Sequence, residues 1–200
     1  MAKGLETLTG VTMHLMPNLY VRPSTLFMKS LADERFYDTD PKGRALMVVE
    51  IGTDKGFNAM TILRNLNVKK MYLIDPYLEE GFQGSSRAEY IAKRRLKKYS
   101  DKIVWVKKKS EDALNDVPDG IDFLYIDGLH TKEQVAMELD LYYPKMKTGG
   151  IIAGHDYIGM HIPLTEAVVE FAQKRLLKLQ GGSLDFWMEK GDWYDEERER

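Results

Sequence analysis

From residue 46 onward, short runs of aliphatic and β-branched side chains alternate with longer stretches in which apolar residues recur every three or four positions. This alternation predicts an α/β fold, a mostly parallel sheet with helices on both faces. The predicted strands are Leu46–Ile51, Lys70–Asp75, Ile103–Lys107, Ile121–Asp127 and Gly150–Gly154. Each is apolar along its length, as strands covered on both sides are. Helical period appears over Ala59–Leu66, and again after a capping box at Ser86-Arg87-Ala88-Glu89, where Ala88, Ile91, Ala92, Arg95, Leu96 and Tyr99 line one face. Thr131 opens a further helix whose stripe is Val135, Leu139, Tyr142, Tyr143 and Met146, with Gly149-Gly150 as its stop. After Pro163 the stripe Leu164, Val168, Phe171, Ala172 and Leu176 marks a long helix ended by Gly181-Gly182. The chain then changes character: Leu184–Glu189 and Asp192–Tyr194 flank a Lys190-Gly191 turn and predict an antiparallel hairpin at the sheet edge.

Ahead of the first strand, Ser24–Phe36 is expected to be a helix capped by Ser24, while residues 1–23 match no single pattern. The expected organisation is one domain: residues 1–45 as an N-terminal helical cap, 46–194 as the catalytic body and 195–200 as a solvated charged tail. Two hundred residues can bury a core without metal or disulfide staples. Twenty-nine Lys and Arg against 31 Asp and Glu leave a net charge of −2, so no general electrostatic pull on nucleic acid or anionic membrane is expected. The basic runs at 93–98 and 107–109 read as solvated faces. With no cysteine, thiolate metal sites, disulfides and a cysteine nucleophile are excluded, and a cytoplasmic location is expected. No apolar run approaches the roughly 18 residues of a membrane span.

Candidate chemistry lies where strands end. The first strand runs through Glu50-Ile51-Gly52-Thr53-Asp54-Lys55-Gly56 into a helix, a turn that lets a ligand approach the backbone beside a helix N-terminus or that simply turns the chain tightly. A dinucleotide fold would want G-x-G-x-x-G, and Asp54 stands where its second glycine belongs. Asp75, ending the second strand, is placed to accept both ribose hydroxyls of an adenosine, or to cap the turn before Pro76. Lys109-Ser110-Glu111-Asp112-Ala113 follows the third strand with short polar side chains for an adenine edge. Asp127 ends the fourth strand, and His155-Asp156 follows the fifth, so a parallel sheet brings all three to one carboxyl edge.

In order, Val49–Gly56, Leu73-Ile74-Asp75-Pro76, Ser110–Ala113, Ile121–His130 and Gly149–Tyr157 resemble the class I S-adenosylmethionine-dependent methyltransferases, over about residues 45–190. The likeness is to the small-molecule O-methyltransferase branch in which "IDG-x-H" precedes a helix and "GG-x-x-x-x-HDY". It implies a Rossmann-like, mostly parallel seven-stranded sheet with an antiparallel C-terminal hairpin. It also implies that Gly52, Thr53 and Gly56 lie against the amino acid part of the cofactor, with Glu50 shaping that turn. Asp75 would bind the ribose, Ser110 and Glu111 would border the adenine, and Asp127 would stand beside the cofactor. Departures are Asn58, where relatives often carry a small Ser, and the missing central glycine of the turn.

Methyl transfer to a hydroxyl needs the acceptor positioned and its proton removed. A divalent cation lowers the pKa of a hydroxyl that it coordinates. In the catechol-type enzymes that this chain resembles, carboxylates after strands four and five hold that cation, and Asp127, His155 and Asp156 occupy similar places. A nitrogen ligand suits Mn²⁺ better than Mg²⁺. His130 stands where those relatives place a basic residue, and its ordinary pKa near 6.5 suits an acceptor of the hydroxyl proton. The expected activity is transfer of a methyl group from S-adenosylmethionine to a small-molecule hydroxyl, with Mg²⁺ or Mn²⁺ assistance and His130, Asp127 and Asp156 as the catalytic groups. Its rivals are a metal-independent methyltransferase, an NAD-dependent oxidoreductase and a non-catalytic cofactor-binding protein. The acceptor and the oligomeric state are not written in the sequence, and a homo-oligomer is compatible with it.

Overall fold

A computed structural model describes residues 21–36, 44–78, 85–158 and 162–191. Seven strands form one sheet: β1 (Leu46–Ile51), β2 (Val68–Ile74), β3 (Ile103–Val106), β4 (Ile121–Ile126), β5 (Met146–Gly154), β6 (Gln180–Gly182) and β7 (Asp185–Glu189). Their order is β3-β2-β1-β4-β5-β7-β6, with β1 to β5 mutually parallel and β7 antiparallel to both of its neighbours. The order reverses between β1 and β4, and a crevice opens at the carboxyl ends of strands at such a switch point. The helices are α1 (Pro23–Phe36), α2 (Phe57–Asn65), α3 (Ser85–Arg95), α4 (Lys132–Tyr142) and α5 (Ile162–Lys174).

The strand side chains alternate between two apolar layers. In β4, Leu124 and Ile126 face a layer completed by Val135, Leu139 and Tyr142 of α4 and by Leu164, Val168 and Phe171 of α5. Phe123 and Tyr125 face the other layer, which holds Met28 of α1 and Ala59, Ile62 and Leu63 of α2. Every residue of β4 is buried, and all but Asp122, which accepts from the Met47 amide and pairs with Lys147, are apolar or aromatic; each fully buried large side chain contributes about 1.5–3 kcal/mol. The helices follow from local chemistry: the Thr131 hydroxyl caps α4 by accepting from the Gln134 amide at 3.3 Å, and Gly56, at φ 69°, gives α2 its left-handed entry.

Two glycine pairs expected to end helices lie in strands. Gly149-Gly150 does not stop a helix: α4 ends at Tyr142, a 3₁₀ turn covers Tyr143–Lys145, and both glycines lie inside β5, which begins at Met146. A Cβ on Gly150 would press on the Lys147 and Ile121 carbonyl oxygens, and the β4–β5 register shifts between Ile121 and Phe123. The pair serves an irregular strand rather than a helix cap. Likewise Gly181-Gly182 belongs to β6, which pairs with β7. The antiparallel hairpin exists, but its described arms are β6 and β7; Asp192–Tyr194, the 195–200 tail and residues 1–20 lie outside the described residues. The basic runs are partly paired at the surface, with Lys93 and Lys107 each 2.7 Å from Glu89 and Lys108 2.7 Å from Asp116. Among the described residues no helix is long and apolar enough to cross a membrane.

Candidate active site

The β1–α2 turn and the end of β4 touch. The Asp127 amide donates to the Ile51 carbonyl at 2.8 Å, and Gly52, at φ 86°, faces the Asp127 carbonyl so closely that a Cβ would collide with it. The glycine that the sequence suggested for ligand approach is therefore also required by the protein's own backbone. Asp54 is left-handed too, at φ 44°. Asp75 holds this turn in place: its Oδ2 accepts from the amides of Thr53 at 3.0 Å and Asp54 at 2.9 Å, and its Oδ1 accepts from the Tyr77 amide at 2.8 Å. Tyr77 lies across the turn, with its hydroxyl donating to the Asp54 carbonyl at 3.0 Å. Burial, then the Asp75 and Glu50 carboxylates, push the Tyr77 hydroxyl pKa far above its ordinary value, so it stays a donor.

Glu50 is the buried acid of this half, 1% exposed. Oε1 accepts from Asn58 Nδ2 at 2.8 Å, while Oε2 is buried without a hydrogen-bond partner, as is the nearby Thr53 Oγ1. Burial above all pushes its pKa up to about 8; the Asn58 hydrogen bond opposes this and the Asp127 charge adds to it. Orphaned polar atoms of this kind mark a strand tip suited to a polar ligand.

Ser110 and Glu111, expected at the adenine edge, follow β3. The Ser110 hydroxyl donates to Glu138 Oε1 at 2.6 Å and accepts from Gln134 Nε2 at 2.9 Å, tying the loop to α4. Glu111 is exposed, and its carboxyl is lowered chiefly by a backbone hydrogen bond. Glu138 was missed by sequence reasoning, although a signal existed: it shares the buried stripe of Val135, Leu139 and Tyr142, where a charged residue is out of place. Its Oε2 is buried without a partner, and burial raises its pKa.

The third group sits at the tips of β4 and β5. Ligating atoms of Asp127, His130 and Asp156 all lie within 4.8 Å of one another, a spacing that fits a single cation. His130 stands between the carboxylates, Nε2 at 3.5 Å from Asp127 Oδ1 and Nδ1 at 3.3 Å from Asp156 Oδ2. The Asp127 contact, reinforced by the charges of Asp156 and Asp127, raises its pKa against the opposing effect of burial. His155, expected beside Asp156 as a ligand, lies outside the three-residue group: its Nδ1 is 2.9 Å from Asp156 Oδ1, and its Nε2 is buried without a partner. Asp156 is held at φ 59° and Ile158 at φ 70°, the second a conformation that a β-branched residue seldom adopts.

Beneath lies a buried network that no sequence signal revealed. Asp185 of β7 is fully buried and accepts from the Ser24 hydroxyl at 2.6 Å and the Tyr125 hydroxyl at 3.0 Å. Arg22, just ahead of α1, places Nη1 at 3.5 Å from Asp185 Oδ1 and Nη2 at 3.9 Å from Asp127 Oδ2.

A seven-stranded sheet of this order, with acids at four strand ends around one crevice, defines a Rossmann-like small-ligand enzyme fold. The family described as "Methyltransferase domain" matches residues 49–157. The chain belongs to that family, the class I S-adenosylmethionine-dependent methyltransferases. A curated relative, an uncharacterized protein of Acanthamoeba polyphaga mimivirus, is 30% identical over 117 residues, covering 56% of this chain and 52% of that protein. The chain thus aligns with about half the length of the viral relative. Among solved structures, the O-methyltransferase NovP superposes with a TM-score of 0.62 at 20% identity, covering 84% of this chain and 79% of that one. An rRNA methylase from Streptococcus thermophilus gives 0.60 at 18% identity, covering 84% and 95%. An S-adenosylmethionine-dependent O-methyltransferase from Thermotoga maritima gives 0.60 at 10% identity, covering 92% and 71%. At these identities the structural likeness speaks for the fold.

Proposed function

We propose that this chain transfers the methyl group of S-adenosylmethionine to a hydroxyl of a small molecule, with a divalent cation held by Asp127, His130 and Asp156. The observation that carries the reading is the junction of the two half-sites: the Gly52 turn rests on the backbone of Asp127, whose side chain belongs to the carboxylate cluster. A methyl donor on the turn and an acceptor on the cluster would be neighbours, as in-line transfer requires.

The residues fit the cofactor. Glu50 Oε2 and Thr53 Oγ1 are buried polar atoms awaiting a partner, and the ammonium of the methionine part supplies donors for them. Gly52 lets the turn close on the Asp127 backbone and Gly56 lets it close on Leu96 and Ala92, so the turn is held compact beside Asp127. Asp75 organises the turn through three backbone amides, which leaves about one lone-pair site, on Oδ1, for a ribose hydroxyl. Ser110 and Glu111 border the adenine, and Glu138 with Gln134 sets the direction of the Ser110 hydroxyl.

The donor set also fits a cation: two carboxylates and one imidazole, a mixture more congenial to Mn²⁺ than to Mg²⁺. When bound, such an ion lowers the pKa of a coordinated hydroxyl. His155, through its contact with Asp156, orients that carboxylate rather than completing the ligand set. A second reading drops the metal: His130, flanked by two carboxylates, takes the hydroxyl proton itself and is stabilised as imidazolium by Asp127 and Asp156.

The test is calorimetric titration with S-adenosylhomocysteine, then transfer of labelled methyl to a panel of hydroxylated acceptors before and after chelation. Saturable binding and a chelator-sensitive activity restored by Mn²⁺ or Mg²⁺ are expected. Undiminished activity after thorough chelation assigns the proton to His130 alone. Binding of NAD in place of S-adenosylhomocysteine overturns the methyltransferase reading, and binding without transfer to any acceptor leaves a cofactor-binding protein.

A further inference from the structure

We propose that Arg22 is a built-in counter-cation of the carboxylate cluster, which competes electrostatically with a divalent ion at Asp127, His130 and Asp156 and so sets that ion's affinity. The inference rests on the metal-assisted reading above. Its basis is where the guanidinium is anchored. Arg22 Nη1 lies 3.5 Å from Asp185 Oδ1 as an ion pair, and Asp185 is fully buried, accepting hydrogen bonds from the Ser24 and Tyr125 hydroxyls. A carboxylate so enclosed has no water to turn to, so it holds the arginine in place. Asp127, by contrast, is 3.9 Å from Nη2 and partly open, with 23% of its side chain exposed. The guanidinium, itself only 15% exposed, is therefore pinned beside Asp127 without being committed to it.

The charge around the cluster follows from this arrangement. Asp127 and Asp156 carry two negative charges, and His130 stands between them on one side. Near the far oxygen of Asp127, at 3.9 Å, lies a positive charge that its ion pair with the buried Asp185 favours keeping there. A divalent ion entering the cluster meets that charge at short range and in a partly desolvated setting, where like charges repel far more strongly than in water. Asp127 then divides its field between two cations. The consequence is a site of modest ion affinity, occupied and vacated readily, in place of a permanently loaded one. Arg22 also comes from the segment leading into α1, so docking of that helix and the ion share one carboxylate.

The experiment titrates the full-length protein with Mn²⁺, reading bound ion by electron paramagnetic resonance. Arg22→Met alone would strand a buried carboxylate, so it is combined with Asp185→Asn. The double variant is expected to bind Mn²⁺ about tenfold more tightly than the unmodified chain, with Asp185→Asn alone, in which the guanidinium keeps its charge but loses its anchor, falling between the two. Arg22→Lys, which keeps the charge, is expected to stay within about twofold of the unmodified chain. S-adenosylhomocysteine binding to each variant reports that the domain is folded. Equal Mn²⁺ affinity with and without Arg22 overturns the proposal while leaving the cation site standing, and weaker affinity without Arg22 overturns it by showing that the arginine positions Asp127 for the ion. Failure of every form to bind Mn²⁺ while S-adenosylhomocysteine binds overturns both this proposal and the metal-assisted reading.

Discussion

The two halves of the carboxyl edge are built on opposite principles. At the tips of β1 and β2, polar groups are largely absorbed by the backbone: Asp75 accepts from three amides, Gly52 fits against the Asp127 carbonyl, and Tyr77 closes over the turn. At the tips of β4 and β5, side chains face side chains: Asp127 and Asp156 meet through His130, with His155 and Arg22 behind them. The first half is shaped by geometry, and a ligand there uses a surface that exists without it. The second is shaped by charge, and its composition changes whenever a proton or a cation is gained. On the proposed reading, binding and chemistry are separated along the sheet edge.

If the charged half carries the chemistry, Asp127→Asn should give the largest effect, lowering methyl transfer by about 10²–10⁴-fold while S-adenosylhomocysteine affinity changes by less than about threefold. Comparable losses in binding and turnover would erase the division of labour. Asp75→Ala probes the other half. It orphans the amides of Thr53, Asp54 and Tyr77, so urea unfolding should show a loss of about 2–4 kcal/mol, together with loss of cofactor binding. Unchanged affinity would refute the ribose assignment and leave Asp75 as a scaffold residue.

The smallest effect is a proton. Glu50, with its pKa pushed up to about 8, is mostly protonated at pH 7 in the free protein. An ammonium placed against it favours the carboxylate, so binding S-adenosylhomocysteine at pH 7 should release up to about one proton, seen as a dependence of binding enthalpy on buffer ionisation. The release should fade above pH 8 and vanish in Glu50→Gln. Between the ordinary value of 4.5 and about 8 the folded chain keeps a proton that the unfolded chain has lost, so stability falls as pH rises through that window. Persistence of the release in Glu50→Gln would place the titrating group elsewhere.

Much of this architecture was legible. The limits of β1, Leu46–Ile51, follow from an apolar run closed by a glycine, and α4 follows from Thr131 and the stripe behind it. Strand ends are readable because burial on both faces imposes a continuous apolar stretch, and the parallel order places the acids that follow them on one edge. Legibility failed where one residue type has two uses. A Gly-Gly pair ends a helix or kinks a strand, and at 149–150 only the neighbouring strand decides. It failed again for His130 and His155, both expected near the acids, since no spacing says which imidazole lies between the carboxylates and which behind.

What the chain determined alone is whatever depends on near neighbours: alternation, helical stripes, caps and turns, and through them the family and the line of acids along the sheet edge. What only the folded molecule decided is the set of partners those acids meet. Ser24 and Asp185 are 161 positions apart, and Arg22 reaches Asp127 across much of the domain. Coulomb attraction and desolvation act through space, so the charge on a carboxylate depends on groups whose distance along the chain carries no record of their nearness.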